Sequence, residues 1–442
     1  MTAGELPCAS AVFPAGGALT GKTRVELTGI NLKTAEYTVS RSFPEEGIYE
    51  IPTGAINTVL FHASALPAAL EKEINNETAS AQIVKLPVII NGRINTSGDF
   101  DYYKFSGKAG DKIAAEVYGR RLGTPLDSQI KLLDSRGAIL TNNDDYVDRS
   151  CGLITHHADS YLSCSLPADG DYFLQIGDIQ NKGSSQHIYR LRISQLMPDF
   201  RLRVSPSSFT IAKGGTVPLY VYARRMDGFT GKITLGLSEL PEGFTIDSGI
   251  IPEGQDSLRI TVSAPADLSS EENQLIPKIT GRARIFDKTI QRTALPAENM
   301  MQAFAWWHMV PAEEMIITVQ GKVRASISVD TEKNKIIKLS PGKTAQVPLV
   351  LPDGSASANI DLIVELDDPP PGLLAGETTI DEYRENGYVE IIAETNAKPG
   401  IQGNLILKAF TVKQGVKKKS LLPNQKPVFL CTLPAVPFEI MP

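Results

Sequence analysis

Glu71-Lys72-Glu73-Ile74-Asn75-Asn76 opens residues 71–145, the part of the chain around which the rest is organised. Alternate residues of an extended chain point to the same side, so the two glutamates and Asn75 share one face. Further along, Ser97-Gly98-Asp99-Phe100-Asp101-Tyr102-Tyr103-Lys104-Phe105 places two aspartates at the mouth of an aromatic strand. If these carboxylates come together they need a neutralising partner, and a hard cation with several oxygen ligands would supply it. A simpler interpretation is that the acids keep a strand edge solvated, and residue spacing alone favours it.

Further motifs favour the cation site over the solvated strand edge. They are Asn91-Gly92-Arg93-Ile94, Gly98–Phe105, Ala109-Gly110-Asp111-Lys112, Leu122–Ser128, Asn143-Asp144-Asp145 and Pro167–Tyr172. Together they resemble the bacterial pre-peptidase C-terminal (PPC) domain. That family is a small jelly-roll-like β-sandwich, similar to the collagen-binding modules of clostridial collagenases.

The resemblance also implies a calcium site. In the collagen-binding modules, a Glu-x-Glu-x-Asn-Asp linker and an aspartate-rich loop share calcium. Carried over residue by residue, the implied ligands in this sequence are Glu71, Glu73, Asn75, Asn76, Asp99 and Asp101. Asn76 stands where the family pattern has an acid, which weakens the expectation of a second calcium ion there.

Composition indicates a globular, nearly all-β chain. Its 442 residues suggest roughly three or four domains. The 36 glycines and 29 prolines, with many β-branched residues, are typical of short strands joined by turns. We therefore expect tandem β-sandwich modules, immunoglobulin-like and jelly-roll-like. The net charge of −6 gives no support to nucleic-acid binding.

Pro-rich joints and recurring strand patterns predict four modules. The first, residues 1–66, resembles an IPT/TIG immunoglobulin-like module but is shorter than usual, so its sandwich is expected to be incomplete. Residues 67–197 are the PPC-like sandwich with its calcium linker. Residues 198–320 and 321–442 are predicted to be immunoglobulin-like. The order of modules is similar to that of exported proteins of planctomycete-type bacteria.

Three local patterns add specific expectations. The alternation from Thr23 to Thr28 predicts a strand, with Gly29 and Asn31 in a following turn. The segment Asn404–Phe410 predicts one strand. The spacing of Met301, Phe304, Ala305 and His308 predicts a short helix, which also carries both tryptophans. That helix would plug a sandwich end or, less favoured, present an aromatic platform to a sugar or a partner.

A second metal hypothesis concerns His156, His157 and Asp159. These residue types can bind a transition metal, but adjacent strand residues point to opposite faces, so structural packing is favoured. Cys151 and Cys164 are close enough to pair, and unpaired thiols are equally compatible with the sequence.

The sequence contains no uninterrupted apolar run long enough to predict a membrane-spanning helix. The N-terminus lacks the features of a secretion signal, and because the PPC resemblance implies export, we expect a leader to have been removed. The leading hypothesis is a non-catalytic, calcium-stabilised binding or scaffold protein that is extracellular, on the cell surface or periplasmic. It would adhere to an extracellular protein or polysaccharide. The alternatives are an accessory substrate-binding partner of a secreted peptidase and, least favoured, a metal-dependent hydrolase.

Overall fold

The computed structural model describes residues 5–32, 34–146, 159–268, 274–302, 306–323, 327–330, 336–351, 360–381, 383, 386–413 and 427–442. Within these residues every regular element is a β-strand or a short 3-10 helix, which confirms the all-β prediction. No helix among them is long and apolar enough to cross a membrane. The chain divides into two compact units, Met1–Pro198 and Asp199–Pro442. The finer division into four modules stays a prediction.

The first unit begins with two three-stranded sheets. Their strands are β1 (Cys8–Phe13), β2 (Gly16–Ala18), β3 (Lys22–Ile30), β4 (Glu36–Ser40), β5 (Gly47–Pro52) and β6 (Thr58–Ser64). The sheet orders are β1-β3-β4 and β2-β6-β5. The strand predicted at Thr23–Thr28 is confirmed as part of β3. Gly29, however, lies inside β3, paired with Ala9, rather than in the predicted turn.

Two five-stranded sheets follow and form the sandwich that the PPC resemblance implies. The strands are β7 (Ala68–Leu70), β8 (Gln82–Ile83), β9 (Val88–Arg93), β10 (Phe100–Gly107), β11 (Lys112–Tyr118), β12 (Ser128–Leu133), β13 (Ile139–Asn143), β14 (Tyr161–Ser165), β15 (Gly170–Asp178) and β16 (Ile188–Gln195). The sheet orders are β13-β12-β15-β10-β8 and β14-β11-β16-β9-β7. Short 3-10 helices span Thr78–Ser80 and Arg120–Leu122.

Alternating apolar residues of both sheets fill the core of this sandwich. Tyr103 and Phe105 of β10 meet Tyr189 and Leu191 of β16 in one buried cluster. Because the side-chain period of a strand is two, the same alternation that buries Tyr103 also turns Asp101 inward. The sequence of β10 therefore places a carboxylate at the inner mouth of the sandwich.

The second unit begins with two sheets. Its strands are β17 (Asp199–Ser205), β18 (Ser208–Lys213), β19 (Thr216–Met226), β20 (Ile233–Ser238), β21 (Thr245–Asp247), β22 (Ile250–Ile251), β23 (Ser257–Ser263), β24 (Gln274–Leu275), β25 (Lys278–Ile285), β26 (Lys288–Gln302), β27 (Trp306–Pro311) and β28 (Ile316–Lys322). One sheet has the order β21-β23-β19-β17-β26-β25-β20-β22, with β27 paired to β26, and the other has the order β18-β28-β24.

The remaining strands surround a separate buried cluster. They are β29 (Ser328–Val329), β30 (Ile337–Leu339), β31 (Thr344–Val350), β32 (Ile360–Leu366), β33 (Leu373–Ile380), β34 (Asn386–Ala393), β35 (Gln402–Leu405), β36 (Leu407–Lys413), β37 (Val428–Thr432) and β38 (Val436–Ile440). The sheet orders are β29-β31-β34-β33, β30-β38-β35 and β32-β36-β37.

Two predictions for the second unit are wrong. The helix expected around Met301 and His308 is a pair of antiparallel strands, in which Met301 lies opposite Trp307 and Met300 opposite His308. Phe304 and Ala305 lie outside the described residues. The single strand expected at Asn404–Phe410 is divided at Ile406, because β35 pairs with β38 whereas β36 pairs with β32 and β37.

Candidate metal centre

Asp101 lies at the start of β10 and is completely buried. Its strand is held on one side by β15, where Asp101 is opposite Ile176. On the other side, the Tyr102 N–H donates to the Asn75 carbonyl oxygen at 2.8 Å. The linker that carries the predicted glutamates is thus attached to the strand that carries Asp101.

Two glutamates of the linker approach the same point. Glu71 follows β7, and its N–H donates to the Asn91 carbonyl oxygen at 2.9 Å. Its Oε2 accepts from the Arg93 N–H at 2.9 Å. Glu73 Oε1 accepts from Asn95 Nδ2 at 2.8 Å. These contacts use one oxygen of each carboxylate.

Three carboxylate oxygens, one from each of Glu71, Glu73 and Asp101, lie within 4.8 Å of one another. Among the described residues, the ion pairs include none that involves these three side chains. The cluster contains oxygen donors only, with no histidine or cysteine. An arrangement of this kind can bind a hard cation, and it lacks the imidazole or thiolate ligands that transition metals prefer.

Asn75, another implied ligand of the linker, lies beside these carboxylates. The residue is completely buried, and its side-chain oxygen faces only hydrogen-bond acceptors. Turning the amide by 180° would let its nitrogen donate to Asp101 Oδ1 at 3.2 Å and to Glu73 Oε2 at 2.9 Å. In this orientation the amide nitrogen links two of the three carboxyl groups, and the amide would have to turn its oxygen towards a cation to bind it.

Burial and the neighbouring Glu71 raise the pKa of Asp101 to about 10. Without a cation, this carboxyl group would therefore hold a proton at neutral pH. The Tyr189 hydroxyl lies 2.6 Å from Asp101 Oδ2 and 3.0 Å from Glu71 Oε1. Burial raises the pKa of Tyr189 well above its usual value, so the hydroxyl keeps its single proton and can donate it to one of the two carboxyl groups.

Asp99 and Asn76, the other two implied ligands, hydrogen bond to each other. Asn76 Nδ2 donates to Asp99 Oδ1 at 2.8 Å, and the Asn95 N–H donates to Asp99 Oδ2 at 2.7 Å. Asn76 Oδ1 accepts from the Asn75 N–H at 3.2 Å. In this geometry, both residues hold the loops that carry the three converging carboxylates.

Asp159, the acid of the alternative metal hypothesis, has both oxygens engaged. They accept from the N–H groups of Gly119 and Arg120 at 3.0 and 2.6 Å and from Arg121 Nε at 2.8 Å. His156 and His157 lie outside the described residues, as does Cys151. Cys164 carries a free thiol.

Three further residues support the site and were not predicted from the sequence: Tyr189, Tyr103 and Asn95. Both tyrosines lie in strands with apolar alternation, which predicts core packing but not a hydroxyl aimed at a carboxylate. The Tyr103 and Tyr189 hydroxyls are 2.6 Å apart. The available signal was the tyrosine hydroxyl itself, because a buried tyrosine usually needs a hydrogen-bond partner for its O–H.

Residues 99–177 match the family described as the bacterial pre-peptidase C-terminal domain. A probable subtilase-type serine protease of Deinococcus radiodurans is 42% identical over 79 residues, which are 18% of this chain and 10% of that protein. The chain thus spans about a tenth of that relative's length. Glu71, Glu73, Asn75 and Asn76 precede the matched residues.

The pre-peptidase C-terminal domain of a Bacillus anthracis collagenase is 16% identical, covers 27% of this chain and all of its own, and has a TM-score of 0.20. Domains 5–6 of the S-layer protein SbsC are 17% identical, cover 56% of this chain and all of their own, and have a TM-score of 0.22. On the match of residues 99–177, the chain contains a bacterial pre-peptidase C-terminal domain.

Proposed function

We propose that the chain is a non-catalytic, exported binding or scaffold protein whose PPC module is stabilised by calcium. The observation that carries the proposal is the convergence of Glu71, Glu73 and Asp101 within 4.8 Å. Two oxygens that bind the same Ca²⁺ ion, each at about 2.4 Å, are at most about 4.8 Å apart. The spacing of the three carboxylate oxygens is therefore compatible with a single bound ion. Asn75 would add a neutral oxygen. Bound calcium would neutralise the cluster and fix the linker to β10.

Stabilisation by calcium is the direct test. A ligand that binds only the folded state, at a hundredfold excess over its dissociation constant, contributes about 2.7 kcal/mol. For a unit of this size, millimolar Ca²⁺ should raise the melting temperature by about 5–10 °C relative to EGTA. Differential scanning calorimetry of the full chain would measure the shift.

Glu73→Gln should reduce this calcium response because it removes one ligand charge. Glu77→Gln is the matched control, since Glu77 is exposed and lies four residues further along the same linker. Its calcium response should equal that of the unmodified chain. A melting temperature that is the same in Ca²⁺ and EGTA would refute the calcium site and leave the acids as solubilising residues.

The binding or scaffold role predicts that the isolated chain does not hydrolyse casein. In the described residues, the carboxylate cluster contains no serine or cysteine nucleophile, and both oxygens of Asp159 are already hydrogen bonded. Release of fluorescent peptides from labelled casein would measure activity. Hydrolysis that survives purification and disappears on substitution of one residue would overturn the role.

A second candidate function is an accessory, substrate-binding partner of a secreted peptidase. It is supported by the 42% identity between this PPC segment and part of a probable subtilase-type serine protease. Co-sedimentation with insoluble protein and polysaccharide substrates separates the two. An accessory partner should sediment with a protein substrate such as collagen, and addition of the chain should speed digestion of that substrate by a peptidase. A scaffold protein should leave the rate unchanged.

A further inference from the structure

His62 lies where the first six strands contact the PPC sandwich. It belongs to β6, between β2 and β5, and only 1% of the residue is exposed. Its ring stacks on the ring of Tyr118 at the end of β11, with the two ring centroids 4.0 Å apart. Tyr118 and Ile188 of the PPC sandwich also pack with the apolar cluster of β1–β6. The imidazole is therefore part of the surface that joins these two groups of sheets.

A buried positive charge of the PPC sandwich faces the same place. The guanidinium of Arg190 and the backbone carbonyl of His62 both lie against Gly16. Nη1 of this arginine donates to the neutral side chain of Asn91 at 3.0 Å, and its Nε and Nη2 have no hydrogen-bond partner in the described part of the chain. Tyr118 supplies no opposite charge, because burial raises its pKa above the usual value.

Two carboxylates also face His62, but neither forms a hydrogen bond with it. Glu116 is paired with Arg121 at 2.9 Å and with Arg192 at 3.0 Å. Glu46 Oε1 lies 3.8 Å from His62 Nε2, which is too far for a hydrogen bond. Together with Arg190 and Tyr118, these four side chains are the charged and titratable groups of the described residues that face the imidazole.

This environment suits a neutral imidazole and opposes a protonated one. A neutral imidazole carries one N–H, whereas an imidazolium carries two. His62 Nδ1 is buried and has no hydrogen-bond partner among the described residues, so a second N–H would be left unsatisfied. Burial and, after it, the charge of Arg190 lower the pKa of His62 well below its usual value. The closed contact thus excludes the proton.

We propose that His62 makes the contact between β1–β6 and the PPC sandwich sensitive to acid, so that this contact opens as the pH falls below about 6.5. In the open form the ring is solvated and has an ordinary pKa of about 6.5. Because only the open form takes up the proton, each pH unit below 6.5 raises the equilibrium constant for opening about tenfold, until the pKa of the closed form is reached. Above about pH 7 the constant does not change. The inference goes beyond the proposed function and does not depend on calcium.

Amide hydrogen exchange of the full chain between pH 7.5 and pH 5.0 measures the opening. The experiment is done in EGTA, since the Asp101 carboxyl group then holds its proton throughout this range and adds no change of its own. Rates are corrected for the intrinsic pH dependence of exchange. Protection of peptides from β6 and from β11 should then fall together, by about thirtyfold between pH 6.5 and pH 5.0.

Two variants remove the titrating group. His62→Phe keeps a ring against Tyr118, and His62→Gln keeps a polar side chain. In either variant that folds, protection should change by less than about twofold over the same pH range. His187→Gln is the matched control. His187 is also buried, burial also lowers its pKa, and its Nδ1 lies 2.8 Å from Ser184 Oγ, away from the joining surface. This variant should keep the thirtyfold response.

The proposal is overturned if opening of the unmodified chain is independent of pH. It is also overturned if the response persists in the His62 variants or disappears in His187→Gln, because a different group would then be responsible. Loss of protection in β6 without a matching loss in β11 would show that the strand frays while the contact stays closed, which contradicts the proposal as well.

Discussion

Replacing Asp101 with asparagine should abolish the stabilisation of the first unit by calcium. In EGTA the variant should melt at the same temperature as the unmodified chain or above it. Without calcium the Asp101 carboxyl group holds a proton, so the change replaces one neutral buried group with another of nearly the same shape, and the asparagine oxygen can still accept from Tyr189. In millimolar Ca²⁺ the variant should be less stable by about 2.7 kcal/mol, because it loses the contribution of the bound ion.

A loss of stability that appears only in Ca²⁺ is the result that would identify Asp101 as a calcium ligand. Tyr189→Phe provides the comparison, since it removes a hydroxyl that contacts both Asp101 and Glu71 but leaves the three carboxylates in place. Its destabilisation should be similar with and without calcium. If Asp101→Asn also lowers the melting temperature equally in both conditions, Asp101 has a structural role only. Calorimetric scans of the three proteins in both buffers decide between these outcomes.

The sequence predicts most strands of the PPC sandwich because one face of each is buried. The period of two that places Tyr103 and Phe105 in the core also places Asp101 beside them. By contrast, the convergence of Glu71 and Glu73 on Asp101 depends on β7 lying parallel to β9 and on Asn75 bonding Tyr102. These contacts join distant parts of the chain, and residue spacing carries no information about them. The resemblance to the PPC family implied a shared ligand set, but it did not predict these contacts.

The wrong helix has a physical explanation. Met301 and His308 are seven residues apart, which matches two helical turns, but the same segment continues from β25 through fifteen extended residues of β26. Pairing with both β25 and β17 fixes the extended conformation at the start of β26, and β27 then folds back on its end. Short apolar segments fit either period, so neighbouring strands decide. The predicted strand at Asn404–Phe410 is divided at Ile406 for the same reason, because β35 and β36 pair with strands of two different sheets.

A buried arginine joins the first two groups of sheets, and neither its burial nor its neighbours follow from the sequence. Arg190 of β16 is fully buried, and its Nη1 donates to Asn91 Oδ1 at 3.0 Å. Within the part of the chain that the structure describes, its Nε and Nη2 have no hydrogen-bond partner, and burial lowers the pKa of its guanidinium to about 10. The guanidinium lies against Gly16 of β2. Ile188 and Leu122 of the PPC sandwich also belong to the buried cluster of β1–β6.

Gly16→Ala should therefore destabilise the first unit strongly. The new Cβ would lie 2.2 Å from the His62 carbonyl oxygen and 2.5 Å from Arg190 Nη1. The first atom is fixed because Gly16 pairs with His62 between β2 and β6, and the second belongs to a side chain with no room to move. We expect a cost of about 2–3 kcal/mol and a fall in melting temperature of about 5–10 °C.

Gly47→Ala is the matched control for this prediction. Gly47 lies in β5 of the same group of sheets, and an added Cβ would meet nothing closer than the Tyr49 ring at 3.6 Å, an ordinary contact. Its effect should stay within about 0.5 kcal/mol.

Limited proteolysis adds a second measurement. If Arg190 holds β1–β6 against the PPC sandwich, Gly16→Ala should expose both parts to cleavage together. Cleavage of β1–β6 alone, with an unchanged calcium-dependent transition, would show that the two parts unfold independently and that the shared cluster contributes little to either.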